Sequence, residues 1–228
     1  MIHTDRHYEE ELNSLKDFIL KMGGLVEEMV HLAMKMLINR ETQLMGIVIQ
    51  KEKEANQLEI GIDDQCLKLL ALHQPAASDL RFITLGLKIS KDLERIGDLA
   101  INICEQAEKI NREPPLKPYI DLPIMADKAQ KMVKGALDAF VARDAKAAQK
   151  VCGLDDEVDD CKEKIQEELM ALMQKDSQTV ERGVYLIAIA KHLERVGDHA
   201  TNIAEEVIFM VQGKDIRHGG KTGSDFFR

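Results

Sequence analysis

The sequence predicts an all-α protein built as two tandem antiparallel three-helix bundles. Its composition favours helices, because Leu, Ala, Met, Lys and Glu dominate and the five prolines fall in few places. Apolar residues recur every three or four positions over long stretches, which is typical of amphipathic helices. In addition, the segment that starts at Lys191 repeats the pattern of the segment that starts at Lys91, so one structural unit is present twice.

Three amphipathic patterns define the first half of the chain. They predict helices over residues 5–39, 41–73 and 78–110. Pro75 interrupts the periodicity between the second and third of these helices. The glycine pair that starts at Gly23 lies inside the first helix and predicts either a kink or a close contact with another helix.

Helical periodicity resumes in the second half. It predicts a helix over residues 124–141, a helix from an N-cap at Asp144 to about residue 174, and a helix from residue 177 to a stop at Gly213. The two halves therefore have the same number and order of predicted helices, six in all.

Most of the prolines lie between the two halves, where they predict an extended connector over residues 112–123. The connector separates a first bundle over residues 1–111 from a second bundle over residues 124–213. The last residues, 214–228, are polar and Gly-rich, and we expect them to form a flexible tail.

Charge and hydropathy exclude several classes of function. A formal net charge of -9 argues against a nucleic-acid partner, whose phosphates require a concentrated basic surface. No apolar run approaches the roughly 20 residues of a membrane span, and the N-terminal residues lack the apolar core of a signal peptide. We therefore expect a cytoplasmic protein that does not insert into membranes.

The repeated segment places Glu, Asp and Asn at positions i, i+4 and i+8 of a helix. The residues are Glu94, Asp98 and Asn102 in the first half and Glu194, Asp198 and Asn202 in the second. This spacing aligns oxygen atoms along one side of the helix, away from its apolar face. Because carboxylates at i and i+4 repel each other, their recurrence in both halves favours a cation site over a solvated surface. Glu105 and Glu205 are secondary candidates.

The preceding helix of each half carries a second pair of candidate ligands. Asp155 and Asp159 are four residues apart, and alignment of the apolar positions places Glu52 and Asn56 at the equivalent positions. Oxygen ligands of this kind suit divalent or trivalent ions such as Mg²⁺, Mn²⁺, Fe or Zn²⁺, and several carboxylates together suit multinuclear sites. Since Asn56 is neutral where Asp159 is charged, we expect weaker metal binding in the first half.

Two alternatives remain open. A helical adaptor without metal accounts for an acidic surface but not for its repetition. A di-metal carboxylate enzyme would require Glu-x-x-His motifs, which the sequence lacks, and His199 is interpreted as a surface histidine. Glu59 and Asp63 share the i, i+4 spacing without a counterpart and are interpreted as solvated. Without any other catalytic motif, we expect that the protein is not an enzyme.

The doubled Leu-Glu-Arg-(Ile/Val)-Gly-Asp-x-Ala-x-Asn-Ile motif resembles the PhoU family of phosphate-uptake regulators, as does the joint that contains Pro75, Asp79 and Arg81. The resemblance covers nearly the whole chain. It implies a PhoU-like pair of three-helix bundles, multinuclear metal clusters at the acidic motifs, and a homodimer.

The same resemblance implies a negative regulator of the phosphate-starvation response. Its expected partners are the ATPase subunit of a phosphate ABC transporter and the sensor histidine kinase of the phosphate regulon. A soluble chain without catalytic motifs can act only through such contacts, so we expect it to lie peripherally at the inner face of the membrane through these proteins.

Overall fold

The computed structural model describes residues 2–213, with side chains from residue 6 onwards. These residues form seven α-helices and two 3₁₀ turns, and they contain no strand. The helices are α1 (Ile2–Asn39), α2 (Met45–His73), α3 (Ala77–Ile110), α4 (Asp121–Ala142), α5 (Ala145–Cys152), α6 (Asp155–Lys175) and α7 (Val180–Gln212). The predicted tail, residues 214–228, lies outside the described residues.

The helices pack as two bundles of the same plan, which confirms the predicted fold class. The first bundle consists of α1, α2 and α3, and the second consists of α4, α7 and the pair formed by α5 and α6. The bundles meet where α3 packs along α7 and α1 contacts α4, so the buried apolar side chains form one continuous core. Phe82 of α3 stacks on Phe140 of α4 across this junction, with ring centroids 5.2 Å apart.

Gly23 marks a close approach of the two bundles. A Cβ atom at Gly23 would collide with the buried side chain of Leu137 on α4, whereas a Cβ atom at Gly24 would meet nothing within 4 Å. Since α1 continues through both positions, the close contact predicted for this glycine pair is correct, and it depends on Gly23 alone.

The helix predicted after Asp144 is divided in two. Asp144 is its N-cap, as predicted, and accepts hydrogen bonds from the backbone nitrogens of Lys146 at 2.8 Å and Ala147 at 3.1 Å. The chain leaves the helix at Gly153, which is the C-cap of α5 and donates its backbone N–H to the Gln149 carbonyl at 3.3 Å. The new helix, α6, then starts with three acidic residues, which the positive end of the helix dipole stabilises.

Other helix starts also differ from the prediction. The turns Thr42–Leu44 and Ser177–Thr179 are 3₁₀ helices that precede α2 and α7. The helix α4 starts at Asp121, three residues before the predicted start at residue 124, and includes Pro123 in its first turn. Proline is tolerated there because the first N–H groups of a helix have no partner within it. Gly213 ends α7 with φ of 66°, as predicted.

Candidate metal centre

Four carboxylates of the second bundle share one electrostatic environment between α6 and α7. Burial raises the pKa of Asp159, and the charge of Glu194 and then of Asp155 raises it further. The pKa of Asp198 is also raised, first by burial and then by the charges of Asp155, Glu194 and Asp159. Asp155 accepts a hydrogen bond from the Thr201 hydroxyl at 3.2 Å. The four charged ligands predicted for this half therefore lie near enough to repel one another.

Little positive charge opposes this acidic set. Lys162 of α6 donates to Glu194 Oε1 at 2.8 Å, and this hydrogen bond is the main cause of the raised pKa of Lys162. Arg195 follows Glu194 directly, but it forms no ion pair within residues 6–213. Among the residues whose side chains the structure describes, Lys162 is the lysine or arginine that pairs with one of these four carboxylates.

The corresponding set of the first bundle is neutralised by its own side chains. Glu94 is 15% exposed and lies 3.4 Å from both Lys91 Nζ and Arg95 Nε. Arg95 also pairs with Asp98 at 3.1 Å. On α2, the Asn56 amide donates to Glu52 at 2.6 Å, so this pair carries one negative charge instead of two.

At one equivalent position, the two bundles carry side chains of opposite charge. Lys162 of α6 is equivalent to Glu59 of α2, which lies 3.1 Å from Lys91 and is its strongest hydrogen-bond partner. Burial, followed by the charge of Glu59, raises the pKa of Asp63, which accepts a weak hydrogen bond from Ser90 at 3.5 Å. The interpretation of Glu59 and Asp63 as solvated carboxylates is therefore wrong, since Glu59 is only 19% exposed.

The second-half set fits a hard cation in charge and donor type. In the part of the chain that the structure describes, no three Asp, Glu, His or Cys side chains converge closely enough to hold one ion. A bound ion would thus require Asp155, Asp159, Glu194 and Asp198 to rotate towards each other and Glu194 to release Lys162.

The remaining predicted ligands have different surroundings. Asn202 donates to Asp92 of α3 at 3.4 Å, and Glu205 helps to line an open pocket of about 300 Å³ between α3 and α7. Asn102 is half-buried, and Glu105 is exposed. Asn202 and Glu205 therefore face the first bundle rather than α6.

Two charged contacts between the bundles were not predicted from the sequence. Lys88 of α3 pairs with the buried Glu206 of α7 at 2.8 Å. Asp92 Oδ1 lies 2.8 Å from His199 Nδ1, and the His199 side chain is 18% exposed, so its interpretation as a surface histidine is wrong. The positions equivalent to Lys88 and Glu206 hold an alanine and a glutamine. Such departures from the repeat are the signal that could have identified the contacts.

The predicted joint connects four helices, α1, α2, α3 and α7. Gln74 adopts a left-handed conformation with φ of 45°, and Pro75 then separates α2 from α3. Asp79 accepts a hydrogen bond from the Tyr8 hydroxyl of α1 at 3.3 Å, and burial together with this carboxylate raises the pKa of Tyr8 to about 12. Arg81 donates to the Met210 carbonyl of α7 at 3.0 Å. The joint thus contacts both bundles.

No helix within residues 2–213 is both long and apolar enough to cross a bilayer. The fold and the doubled acidic motif place the chain in a class of tandem three-helix-bundle proteins with carboxylate-rich helix faces. The model of the PhoU domain family matches residues 19–107 and 122–207, one match in each bundle. The chain belongs to the PhoU family, and it is not an enzyme.

Relatives match along nearly the whole chain. The "phosphate-specific transport system accessory protein PhoU homolog" of Pseudomonas aeruginosa is 39% identical over 221 residues, which cover 96% of this chain and 91% of that protein. The homolog of the same name from Aquifex aeolicus is 37% identical over 209 residues, covering 92% of this chain and 95% of that protein.

Two crystal structures have the same fold. PhoU from Pseudomonas aeruginosa superposes with a TM-score of 0.86 at 39% identity and covers 90% of this chain and 99% of its own. The phosphate transport system regulatory protein PhoU from Streptococcus pneumoniae gives a TM-score of 0.85 at 27% identity, with 92% and 99% covered. The similarity therefore includes both bundles.

Proposed function

We propose that this chain is an accessory regulator of a phosphate-specific transport system and restrains phosphate uptake and phosphate-starvation signalling. The observation that carries this proposal is the match to accessory proteins of that name over 96% of the chain. Because both bundles, the joint and the connector are included, the whole regulatory unit is shared rather than a single structural domain.

The regulator acts by contact. Its partners are the transporter's ATPase subunit and the sensor histidine kinase, and it works in the cytoplasm at the inner face of the membrane. The net charge of -9 predicts that exposed charges set the encounter rate with these partners and that binding weakens as salt rises. Direct adsorption to anionic lipid is opposed by the same charge.

Membrane recovery tests the partner assignment. Membranes are prepared from a strain that expresses the phosphate transporter and the sensor kinase and from a strain that lacks both. We expect the protein to co-purify with membranes of the first strain and to be released by salt. Equal recovery from the two strains would show that neither protein is the partner.

A second part of the proposal is metal binding at the second bundle. Asp155, Asp159, Glu194 and Asp198 would hold one or more divalent or trivalent ions, Fe, Zn, Mn or Mg. The support is the raised pKa of Asp159 and of Asp198, which burial raises first and the charges of the neighbouring carboxylates raise further. A bound ion would supply positive charge that relieves this repulsion, and the four carboxylates would then join α6 to α7.

A metal-free helical adaptor is the competing function. It is favoured by the absence, within residues 6–213, of three side chains that converge on one point, and by the internal ion pairs of the first bundle. Elemental analysis of the purified protein distinguishes the metal-binding regulator from the metal-free adaptor. A stoichiometric metal that chelators remove supports metal binding, whereas metal-free protein that still binds its partners supports the adaptor.

The proposed assembly is a homodimer, and sedimentation of the purified chain at several concentrations tests it. A monomer over the whole concentration range would contradict it.

A further inference from the structure

Lys162 of α6 lies against the carboxylates of the second bundle. Its Nζ donates to Glu194 Oε1 of α7 at 2.8 Å, and the two side chains are 24% and 21% exposed. The hydrogen bond to Glu194 and, after it, the charges of Glu194 and Asp159 raise the pKa of Lys162. The ammonium group is therefore near one carboxylate on each of the two helices.

This counter-charge comes from a different helix than in the first bundle. Arg195 follows Glu194 on α7 and forms no ion pair within residues 6–213, whereas the equivalent Arg95 lies 3.4 Å from Glu94 on α3. Glu194 is thus held by a flexible side chain of the neighbouring helix. That side chain can leave without any change to the helix that carries the repeated motif.

Lys162 and a metal ion would compete for Glu194. Metal–oxygen bonds are about 2.0–2.6 Å long, so an ion on the same carboxylate oxygen would lie within roughly 5.5 Å of the Lys162 ammonium group. Two cations at that separation repel each other, and the repulsion is stronger between partly buried groups than in water. A lysine has a flexible four-carbon stem, and Lys162 is partly exposed, so its ammonium group can turn into water.

We infer that Lys162 is an internal competitor of the metal ion, which holds Glu194 in the metal-free protein and has to leave it before an ion can bind. The inference rests on the proposed metal site and adds the regulation of that site. Lys162 joins α6 to α7 in the metal-free form, and its amine lies in water in the metal-bound form. The metal affinity is therefore lower than that of the same carboxylates without the lysine, and the site fills only when the ion concentration suffices to displace it.

Lys164 provides a matched control on the same helix. It lies two residues from Lys162, on the side of α6 that faces α4, and pairs with Asp121 of α4 at 2.7 Å. Lys162→Met and Lys164→Met each remove one positive charge and one ion pair between helices. They differ in whether that pair involves a proposed metal ligand. Lys162→Gln is a second variant, which removes the charge and keeps a polar side chain.

Isothermal titration calorimetry with Mn²⁺ measures the metal affinity of each full-length protein, after a chelator has removed metal and circular dichroism has confirmed helicity. We expect Lys162→Met and Lys162→Gln to bind Mn²⁺ at least about tenfold more tightly than the wild type, and Lys164→Met to differ from it less than about twofold. An unchanged or weaker affinity in both Lys162 variants overturns the inference. An equal rise in Lys164→Met also overturns it, because net charge alone would then explain the change.

Acetylation of lysine amines tests the release of Lys162 directly. The wild-type protein is treated briefly with an acetylating reagent, with and without saturating Mn²⁺, and mass spectrometry compares Lys162 with Lys164. We expect Mn²⁺ to raise the acetylation rate at Lys162 at least about threefold, because Glu194 no longer holds the amine, and to leave the rate at Lys164 unchanged. Equal rates at Lys162 in the two samples would show that the lysine stays on Glu194 and would overturn the inference.

Failure of the inference and failure of the metal site give different results. Wild-type protein that binds Mn²⁺ as tightly as both Lys162 variants contradicts the inference and leaves the proposed metal site intact. Binding by the Lys162 variants but not by the wild type supports the inference, since the lysine then excludes the ion altogether. Absence of binding in the wild type and in both variants contradicts the metal site and the inference together.

Discussion

In the first bundle, Arg95 lies within 3.4 Å of Glu94 and 3.1 Å of Asp98, whereas the matching Arg195 of the second bundle forms no ion pair within residues 6–213. Glu194 is instead paired with Lys162, which comes from the neighbouring helix α6. The Leu-Glu-Arg motif lies on equivalent helices, α3 and α7. In the first bundle its glutamate is neutralised by residues of the same helix, and in the second bundle it is neutralised by a residue of the neighbouring helix.

The difference teaches that a repeated motif does not by itself give a repeated site. Where α2 has Glu59 and Asn56, α6 has Lys162 and Asp159. These two differences change the charges between the helices, although α2 and α3 pack in the same arrangement as α6 and α7. The second bundle keeps uncompensated carboxylates, and the first bundle compensates its own. The two acidic faces can then serve different purposes within one chain.

The largest expected effect concerns metal affinity. We expect Glu194→Gln/Asp198→Asn to weaken metal binding at least about a hundredfold, because it leaves two of the four clustered carboxylates, and Glu94→Gln/Asp98→Asn to change it less than about threefold. Isothermal titration calorimetry with Mn²⁺ or Zn²⁺ measures the metal affinity of both variants. Equal losses would remove the proposed ranking of the halves, and a collapse of helicity would show that the carboxylates are needed for folding.

The contact between the halves gives the next effect. Lys88→Ala removes the ion pair with Glu206, whose side chain is 9% exposed, and should lower the free energy of unfolding by about 1 kcal/mol, since the half-exposed lysine is partly screened. Gln106→Ala at the position equivalent to Glu206 is the control and should lower it by less than about 0.5 kcal/mol. Urea unfolding at pH 7 compares them, and equal values would mean that the interface is energetically symmetric.

The packing around the glycine of the repeated motif, unlike the charges near it, should be equivalent in the two bundles. A Cβ atom at Gly97 would lie 3.5 Å from Met29 Cε, and one at Gly197 would lie 3.6 Å from Met132 Sδ, both ordinary contacts. Gly97→Ala and Gly197→Ala should therefore each stabilise the protein by roughly 0.5–1 kcal/mol through helix propensity. Thermal unfolding would detect this, with Gly23→Ala as a destabilising control, and opposite signs at Gly97 and Gly197 would contradict equivalent packing.

The smallest expected effect is the pH dependence that Asp159 contributes in the second half. A folded-state pKa of Asp159 above its ordinary value of 3.8 means that protonation favours folding, so this contribution is complete below about pH 3.8 and is lost as pH rises through the raised pKa. Asp159→Asn should thus stabilise the metal-free protein by about 0.5 kcal/mol at pH 7 and not in acid.

Asn56→Asp supplies the matched control for this pH effect. It removes the amide that donates to Glu52 at 2.6 Å and adds a second carboxylate, so we expect a small loss of stability at pH 7. Urea unfolding in the presence of a chelator, at pH 4 and pH 7, gives both values. A stabilising Asn56→Asp would show that repulsion between these helices does not govern stability.

Much of the fold could be predicted, because helix formation here depends on local patterns. Spacing of apolar residues indicated the order of the helices, Asp144 indicated an N-cap, and Gly213 indicated an end. The break at Gly153 was missed because apolar residues kept their helical spacing across it. The role of Gly23 was left as two alternatives, since only the position of Leu137 on another helix distinguishes a kink from a close contact.

The sequence by itself determined the all-α class, the doubling of the unit and the residue types on each acidic face, since these follow from periodicity and from the repeat. Only the tertiary structure decided which cation neutralises which carboxylate, that His199 meets Asp92, and that Lys88 meets Glu206. Those pairs join residues more than 30 positions apart on different helices. Their distances depend on how the helices pack and rotate against each other, which no local pattern in the chain records.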